Sequence, residues 1–186
     1  MIHKTAEVEE GASIGENTNI WHYSHIRKGS TIGSNCVLGK NVFVDSGAKI
    51  GNNVKIQNNV SVYDGVTIED GVFVGPHVTF TNDLEPRAIN PDGSLKKSSD
   101  WKISQTLVKK GSSIGAASVI ICGITIGEFA MIGAGSVVTK NVPNFALVYG
   151  TPAKHMGYVC KCGKKLGDTN LSGKIKCSHC KSEIII

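Results

Sequence analysis

Four cysteines near the C-terminus have the spacing of a metal site. Cys160, Cys162, Cys177 and Cys180 form the pattern C-x-C-x14-C-x2-C. Two close pairs of thiolates are the ligands that a tetrahedral Zn²⁺ site requires, although the first pair has one intervening residue where two are common. We predict a structural zinc site in a small ribbon over residues 158–186, because so short a segment needs a bound metal or a covalent cross-link in order to fold.

Two alternatives to this ligand set stay open at the level of sequence. The thiols can instead form two disulfides, but we expect no export signal and a cytoplasmic location, where reducing conditions favour metal. His179 lies inside the second cysteine pair and can replace one thiolate. The remaining cysteines, Cys36 and Cys122, are expected to be ordinary buried residues.

A second group of polar side chains lies within the segment TFTNDLEPRAIN, residues 79–90, and in the chain that precedes it. Asp64 or His77 can accept a proton as a general base, and the Asn82 amide can orient a nucleophile by hydrogen bonding. Arg87 has a planar fork that matches a carboxylate or a phosphate. The polar residues of this group are Asn58, Asn59, Tyr63, Asp64, His77, Asn82, Glu85 and Arg87.

A six-residue repeat must position these groups. Apolar residues recur at every sixth position from Ile2 to Phe80 and again from Val108 to Val138. Gly or Asn often stands three residues after the apolar position, and both tolerate the left-handed backbone of tight bends. A period of six fits neither a helix nor an alternating strand. It predicts a short strand and a bend in each hexad, with one side chain pointing inward.

The repeat is interrupted once. The step from Phe80 to Val108 is not a multiple of six, so extra chain is inserted at about residues 83–106. A long irregular loop within a compact solenoid is usually functional or disordered, and its polar flanks favour function. The alternative is a tolerated surface insertion.

Composition excludes several other classes. The formal net charge is +5, but the lysines form no clustered arm with interleaved aromatic residues, so we expect no nucleic-acid partner. No apolar run is long enough to cross a membrane, and no membrane partner is expected. An anionic small molecule is the preferred partner.

Three stretches carry a resemblance to a known family: NIWHYSHI (19–26), KIQNNVSVYDGVTIEDGVFVGPHVTFTND (55–83) and TLVKKGSS…VYGTPAK (106–154). They are similar to hexapeptide-repeat sugar-nucleotide N-acetyltransferases. The nearest resemblance is to enzymes that acetylate the 3-amino group of UDP-2-acetamido-3-amino-2,3-dideoxyglucuronate for bacterial surface polysaccharide. The match spans residues 1–157, and the ribbon departs from it.

The resemblance implies an all-β fold. Residues 1–142 are expected to form a left-handed parallel β-helix with three hexads in each coil, followed by a connector at 143–157. Residues i and i+18 then lie above one another, which places Asn82 above Asp64 and His77 above Asn59 in one polar patch. In the resembling family the residue that matches Asn82 lies near the reacting amine. We expect Asn82, Asp64 and His77 to be catalytic, and the sugar nucleotide to be bound by Asn58, Tyr63, Glu85 and Arg87.

The resemblance also implies a homotrimer that binds acetyl-CoA in the groove between neighbouring β-helices. The segment GTPAK matches the closing motif of the family, and it implies that Pro152 and Lys154 lie near the adenine and the phosphates. The small corner residues expected beside the pantetheine arm are Gly115, Ala116, Gly133 and Ala134.

Two other functions are alternatives. One is a non-catalytic β-helix scaffold with the ribbon as a docking module. The other is a trimeric carbonic-anhydrase-like enzyme with three histidines on zinc, although His22, His25 and His77 occupy different columns of the repeat. The sequence leaves open the nucleotide base, the sugar, the amino position and the length of the acyl chain.

Overall fold

The computed structural model describes residues 1–186, and the repeat forms a triangular parallel β-helix in it. Strands of mostly two residues alternate with bends, and each regular coil consists of three hexads, one for each face. Val8 pairs with Ile26, and Val44 pairs with Val62, all in parallel register. The predicted all-β parallel β-helix is confirmed, and its left hand stays a prediction from the resemblance.

The helix has three faces, each of them one sheet. Face 1 contains β1 (Glu7–Val8), β4 (His25–Ile26), β7 (Phe43–Val44), β10 (Ser61–Val62), β13 (Thr79–Phe80), β16 (Val119–Ile120) and β19 (Val137–Val138). Face 2 contains β2 (Ser13–Ile14), β5 (Thr31–Ile32), β8 (Lys49–Ile50), β11 (Val66–Ile68), β14 (Thr106–Val108) and β17 (Thr125–Ile126). Face 3 contains β3 (Asn19–Ile20), β6 (Val37–Leu38), β9 (Lys55–Ile56), β12 (Phe73–Val74), β15 (Ser113–Ile114), β18 (Met131–Ile132), β20 (Ala146–Gly150), β21 (Ala153–Val159) and β22 (Lys165–Gly167).

The core consists of the apolar residue that each hexad sends inward. Ile20, Ile56 and Ile132 are fully or almost fully buried, and burial of one such side chain stabilises the fold by about 1.5–3 kcal/mol. The bends between faces have left-handed backbone angles, for example φ 58° at Asn35 and φ 84° at Gly47. Gly and Asn occupy most bends because they adopt such angles at little cost.

Three corners join the faces, and two of them matter for function. Corner A leads from face 3 to face 1 and contains residues 21–24, 39–42, 57–60, 75–78, 115–118 and 133–136. Corner B leads from face 1 to face 2 and contains residues 27–30, 45–48, 63–65 and 121–124, together with the insertion.

The interruption of the repeat lies at corner B. Val62 pairs with Val44 in the regular coil below, whereas Phe80 pairs with Ile120 across a coil that the insertion enlarges. The insertion leaves the coil after β13 and returns to it at β14. It contains the short 3-10 helix Ser98–Asp100, and the chain has no helix long and apolar enough to traverse a bilayer.

The C-terminal part extends face 3 and then forms the ribbon. Within segment 143–157, β20 pairs in parallel with β18, and β21 folds back on β20 in antiparallel register. β22 adds to the outer edge of β21, and β23 (Lys174–Lys176) pairs with β24 (Glu183–Ile185) as a separate hairpin.

Candidate functional site

The upper half of corner A is a column without large side chains. Gly75, Gly115 and Gly133 lie above one another, and a Cβ atom on Gly75 would come within 2.7 Å of the Ala116 nitrogen. At Gly133 the added atom would lie 2.7 Å from the Cβ of Tyr149. Glycine is required at these positions because neighbouring atoms leave no room for a Cβ atom. Since glycine has no side chain, the edge of the corner is not covered.

The backbone N–H groups of Ala116 and Ala134, which lie on this edge, donate no hydrogen bond. The same position in a lower coil is different, because the N–H of Lys40 donates to Asn58 Oδ1 at 2.8 Å. A side-chain acceptor thus caps the Lys40 bend, whereas the N–H groups of His22 and Asn58 in other lower coils donate no bond. Ala116 and Ala134 combine a free donor with the small side chains that let a ligand approach it. The predicted cofactor residues Gly115, Ala116, Gly133 and Ala134 do lie together.

The GTPAK hairpin lies at the top of the same corner. The N–H of Gly150 donates to Ser136 Oγ at 3.3 Å, which ties the hairpin to the corner. Pro152 and Lys154 are both exposed there, and Tyr149, 45% exposed, pairs with Lys154 across the hairpin. All six predicted cofactor residues are therefore neighbours along one edge.

A ladder of polar side chains occupies the middle of corner A. Asn41 Nδ2 donates to Asn59 Oδ1 at 3.1 Å, and Asn59 Nδ2 faces His77 Nε2 at 3.3 Å. Because an amide NH₂ is only a donor, this arrangement leaves the proton of a neutral His77 on Nδ1. His77 lies in a left-handed bend with φ 59° and is exposed. Asn58 belongs to the same corner.

Asp64, Tyr63 and Asn82 lie at corner B instead. The Asp64 carboxylate packs against Gly47 in the coil below, and the Tyr63 ring lies 6.1 Å from the Phe43 ring. Asn82 is half-buried where the chain leaves the coil. The expectation of one polar patch within one chain is wrong. A strand of face 1 separates the two corners by about 16 Å, five residues at about 3.3 Å each.

The insertion forms a cleft of about 760 Å³ lined mainly by its own residues, among them Glu85, Arg87 and Lys96. Arg87 is exposed, and its Nη1 donates to the carbonyl of Pro86 at 2.9 Å. Within one chain these two predicted substrate ligands contact neither His77 nor Asn58, which lie at corner A.

The four predicted zinc ligands converge. All their Sγ atoms lie within 4.8 Å of one another, with 3.4 Å between Cys160 and Cys180 and 3.8 Å between Cys162 and Cys177. Zinc–sulfur bonds of about 2.3 Å give a tetrahedron with edges of about 3.8 Å, so the cluster fits one ion. His179 is not part of this group.

The electrostatics of the thiols agree with a cation site. Burial raises the pKa of Cys160 to about 12, whereas hydrogen bonding with the hydroxyl and N–H of Ser182 lowers the pKa of Cys180 to about 6. A buried thiol of this kind becomes a thiolate only beside a positive charge. The cysteines are free and not paired as disulfides.

The three histidines of the carbonic-anhydrase alternative do not meet within the chain. His22 stacks on His3 with ring centroids 3.6 Å apart, whereas His25 binds Glu9 at 2.8 Å and His77 contacts Asn59. Residues that sequence reasoning missed include Gly75 and Ser136 at corner A. Gly75 could have been found from its position, because it lies directly below Gly115 in the coil that contains the insertion. The strands that precede these two glycines pair with each other.

Two family models match the repeat. Residues 11–46 and 47–82 match "Bacterial transferase hexapeptide (six repeats)", and residues 110–140 match "Hexapeptide repeat of succinyl-transferase". Together they span more than half of the chain.

Curated relatives match shorter segments. A dTDP-3-amino-3,6-dideoxy-alpha-D-galactopyranose 3-N-acetyltransferase from Aneurinibacillus thermoaerophilus is 63% identical over 62 residues, which cover 33% of this chain and 32% of the relative. A galactoside O-acetyltransferase from Lactococcus lactis is 31% identical over 102 residues, 53% of this chain and 45% of the relative. The chain therefore spans less than half the length of either relative.

Solved structures share the fold over most of the chain. A hexapeptide-repeat acetyltransferase from Vibrio cholerae, in complex with acetyl-CoA, is 24% identical with a TM-score of 0.55 over 81% of this chain and 72% of that one. A variant N-acyltransferase from Bacillus cereus, in complex with dTDP and coenzyme A, is 21% identical with a TM-score of 0.51 over 86% of this chain and 80% of that one.

Proposed function

We propose that this chain, which belongs to the hexapeptide-repeat acyltransferase family, transfers the acetyl group of acetyl-CoA to the amino group of a nucleotide-linked sugar. The observation that carries the proposal is the glycine edge of corner A with the free N–H donors of Ala116 and Ala134 beside it. The relative that acts on a dTDP-linked 3-amino sugar supports an amine at the 3-position. A role in bacterial surface polysaccharide biosynthesis rests on the resemblance alone.

Corner A suits an extended thioester arm. The N–H groups of Ala116 and Ala134 can donate to the amide carbonyls of pantetheine, and the glycine column lets the arm approach the backbone closely. Lys154 at the top of the corner can bind a phosphate as a point charge. This order directs the thioester end down the corner, towards His77.

The chemistry is attack of an amine on the thioester carbonyl carbon. The new carbon–nitrogen bond forms, the carbon–sulfur bond breaks, and the departing CoA thiolate takes the proton that the amine loses. With Nε2 accepting from Asn59, His77 can present Nδ1–H to stabilise the developing oxyanion. Asn82 orients the amine lone pair, and Asp64 is the alternative proton acceptor.

These groups can meet only between chains, and face 1 is the surface that we propose lies at the axis of a homotrimer. The outward residues of face 1 include the half-buried Phe43, Val119 and Val137, and its strands contain no lysine. Faces 2 and 3 present Lys49 and Lys55.

With face 1 at a three-fold axis, corner A of one subunit adjoins corner B of the next. His77 of one subunit then faces Asn82, Asp64 and the insertion of its neighbour. Glu85 and Arg87 would approach the sugar nucleotide from that neighbour, with Asn58 on the first subunit and Tyr63 on the second.

The test is release of CoA thiol from acetyl-CoA on addition of UDP- and dTDP-linked 3-amino sugars, each paired with the matching 3-hydroxy sugar. We expect release with an amino sugar and none with its hydroxyl partner. Release with the hydroxyl partner alone would indicate an O-acetyltransferase, and none with any acceptor would indicate a scaffold.

The cysteine cluster is proposed to bind one structural Zn²⁺ through Cys160, Cys162, Cys177 and Cys180. The ion would attach the β23–β24 hairpin to the turn after β21, which contains Cys160 and Cys162. The apolar residues that also support the hairpin form a small cluster around Ile184. An isolated two-stranded hairpin is marginally stable, so a metal staple fits this position. Reduced thiolates favour the cytoplasm as the compartment.

A further inference from the structure

The lower part of corner A contains a cleft that the acetyl-CoA proposal does not use. Its volume is about 270 Å³, and its walls include Trp21, His22, Gly39, Lys40 and Gln57. Trp21 is 40% exposed. A large exposed aromatic ring at the mouth of a cleft is a common feature of ligand sites.

Gly39 makes the cleft a flat slot. It occupies the rung between Trp21 and Gln57, and a Cβ atom there would lie 2.5 Å from Asn58 Oδ1. Two rungs place Trp21 and Gln57 about 9.6 Å apart. A planar ring between them needs about 3.5 Å on each side, so one aromatic ring system fits between the two side chains.

The charge around the slot selects an anion. The corner residues 3–5, 21–23, 39–41 and 57–59 include two histidines and two lysines and contain no Asp or Glu. His3 stacks on His22, and desolvation, His22 and Lys4 together lower the pKa of the His3 imidazole. An added phosphate would relieve the mutual repulsion of these groups.

We propose that this slot binds the nucleoside diphosphate of the sugar nucleotide, with the base stacked on Trp21 over Gly39 and the diphosphate beside Lys40 and His22. The identity of the ligand rests on the proposed function. Gly39 lies two coils below Gly75, about 9.6 Å along the axis. A ribose and a diphosphate can bridge this span, which delivers the sugar to the level of His77.

The adenine end of CoA also combines an aromatic base with a diphosphate. The test therefore distinguishes binding of the sugar nucleotide from binding of CoA. Trp21 and Trp101 are the two tryptophans of the chain, and Trp101→Phe leaves Trp21 as the only indole fluorophore. The probes are UDP and dTDP without sugar, and CoA. We expect a nucleoside diphosphate to quench Trp21 and CoA to leave it unchanged. Equal quenching by CoA, or none by either nucleotide, overturns the proposal.

Variants provide the second arm, measured as Kd by calorimetry so that loss of the fluorophore does not matter. Trp21→Ala should weaken nucleoside diphosphate binding by about 5- to 150-fold, the range for loss of one base–aromatic stack. Trp21→Phe should restore most of it. The control is Tyr23→Asn, which removes a more exposed aromatic ring outside the cleft and suits its left-handed φ of 58°.

Steady-state kinetics keep this proposal separate from the proposed function. Trp21→Ala should raise KM for the sugar nucleotide and leave KM for acetyl-CoA unchanged. Full acetyltransfer with an unchanged nucleotide KM refutes the slot and leaves the enzyme assignment intact. Binding of nucleotides that depends on Trp21, without acetyltransfer to any amine, supports the slot and refutes the assignment.

Discussion

Two variants, one defective at corner A and the other at corner B, should restore each other's activity when they form mixed trimers. His77→Gly removes the imidazole at corner A and suits the left-handed φ of 59° at that bend. Asn82→Ala removes the amide at corner B. If the site lies between corner A of one subunit and corner B of the next, each homotrimer has three defective sites, whereas a mixed trimer can contain intact ones.

The magnitude follows from the geometry. In an equal mixture each interface draws corner A from one chain and corner B from its neighbour, so about one quarter of the interfaces carry both wild-type residues. We expect recovery of about 25% of wild-type activity, against a background that is lower by about 10- to 1000-fold for each homotrimer. A site within one chain predicts no recovery, because every chain is defective.

The assay is CoA thiol release after the two variants are unfolded and refolded together, with native mass spectrometry to verify mixed trimers. A control mixture contains wild-type chains and chains with both substitutions. About half of the wild-type activity in that control would indicate an intrachain site, and about one quarter a shared one. Verified mixed trimers without recovered activity in the first mixture would refute the shared site.

Three further predictions concern single residues. Asn82→Ala should lower kcat/KM by roughly 10- to 1000-fold, about 1.4–4 kcal/mol, without unfolding the trimer; if Asp64→Asn costs more and abolishes the acidic limb of the pH–rate profile, Asp64 is the base. Lys154→Ala should raise KM for acetyl-CoA by up to about 5-fold, as befits an exposed charge, with kcat unchanged, whereas Lys140→Ala should change neither. Cys177→Ser should abolish stoichiometric zinc and accelerate hydrogen exchange over residues 158–186, leaving residues 2–142 protected and acetyltransfer largely intact; stoichiometric zinc in that variant would contradict the ligand set.

The coil could be predicted because its signal is local and repeated. Each hexad carries one inward apolar residue and one bend residue, so Ile20 and Asn35 specify their places without reference to distant chain. The convergence of the four cysteines was predictable for a similar reason. Cys160 and Cys177 head two close pairs whose ligand chemistry admits few alternatives.

The arrangement around the coil could not be predicted in the same way. The 18-residue period indicates which residues lie above one another along the helix axis, and it correctly places His77 over Asn59. It does not measure distance across a face, so it assigns Asn82 and His77 to one patch although β13 lies between them. The free N–H groups of Ala116 and Ala134 are also hidden from sequence reasoning, because they depend on the absence of a capping side chain in the coil above.

The most direct test of the proposed activity is identification of the bond that is made. The protein is incubated with acetyl-CoA labelled with ¹³C at the acetyl carbonyl and with the amino-sugar nucleotide that releases most thiol, and the product is analysed by NMR. We predict an amide carbonyl coupled to the former amine of the sugar, stable to hydroxylamine. An ester carbonyl, or label that stays on CoA or appears only as free acetate, would contradict the assignment.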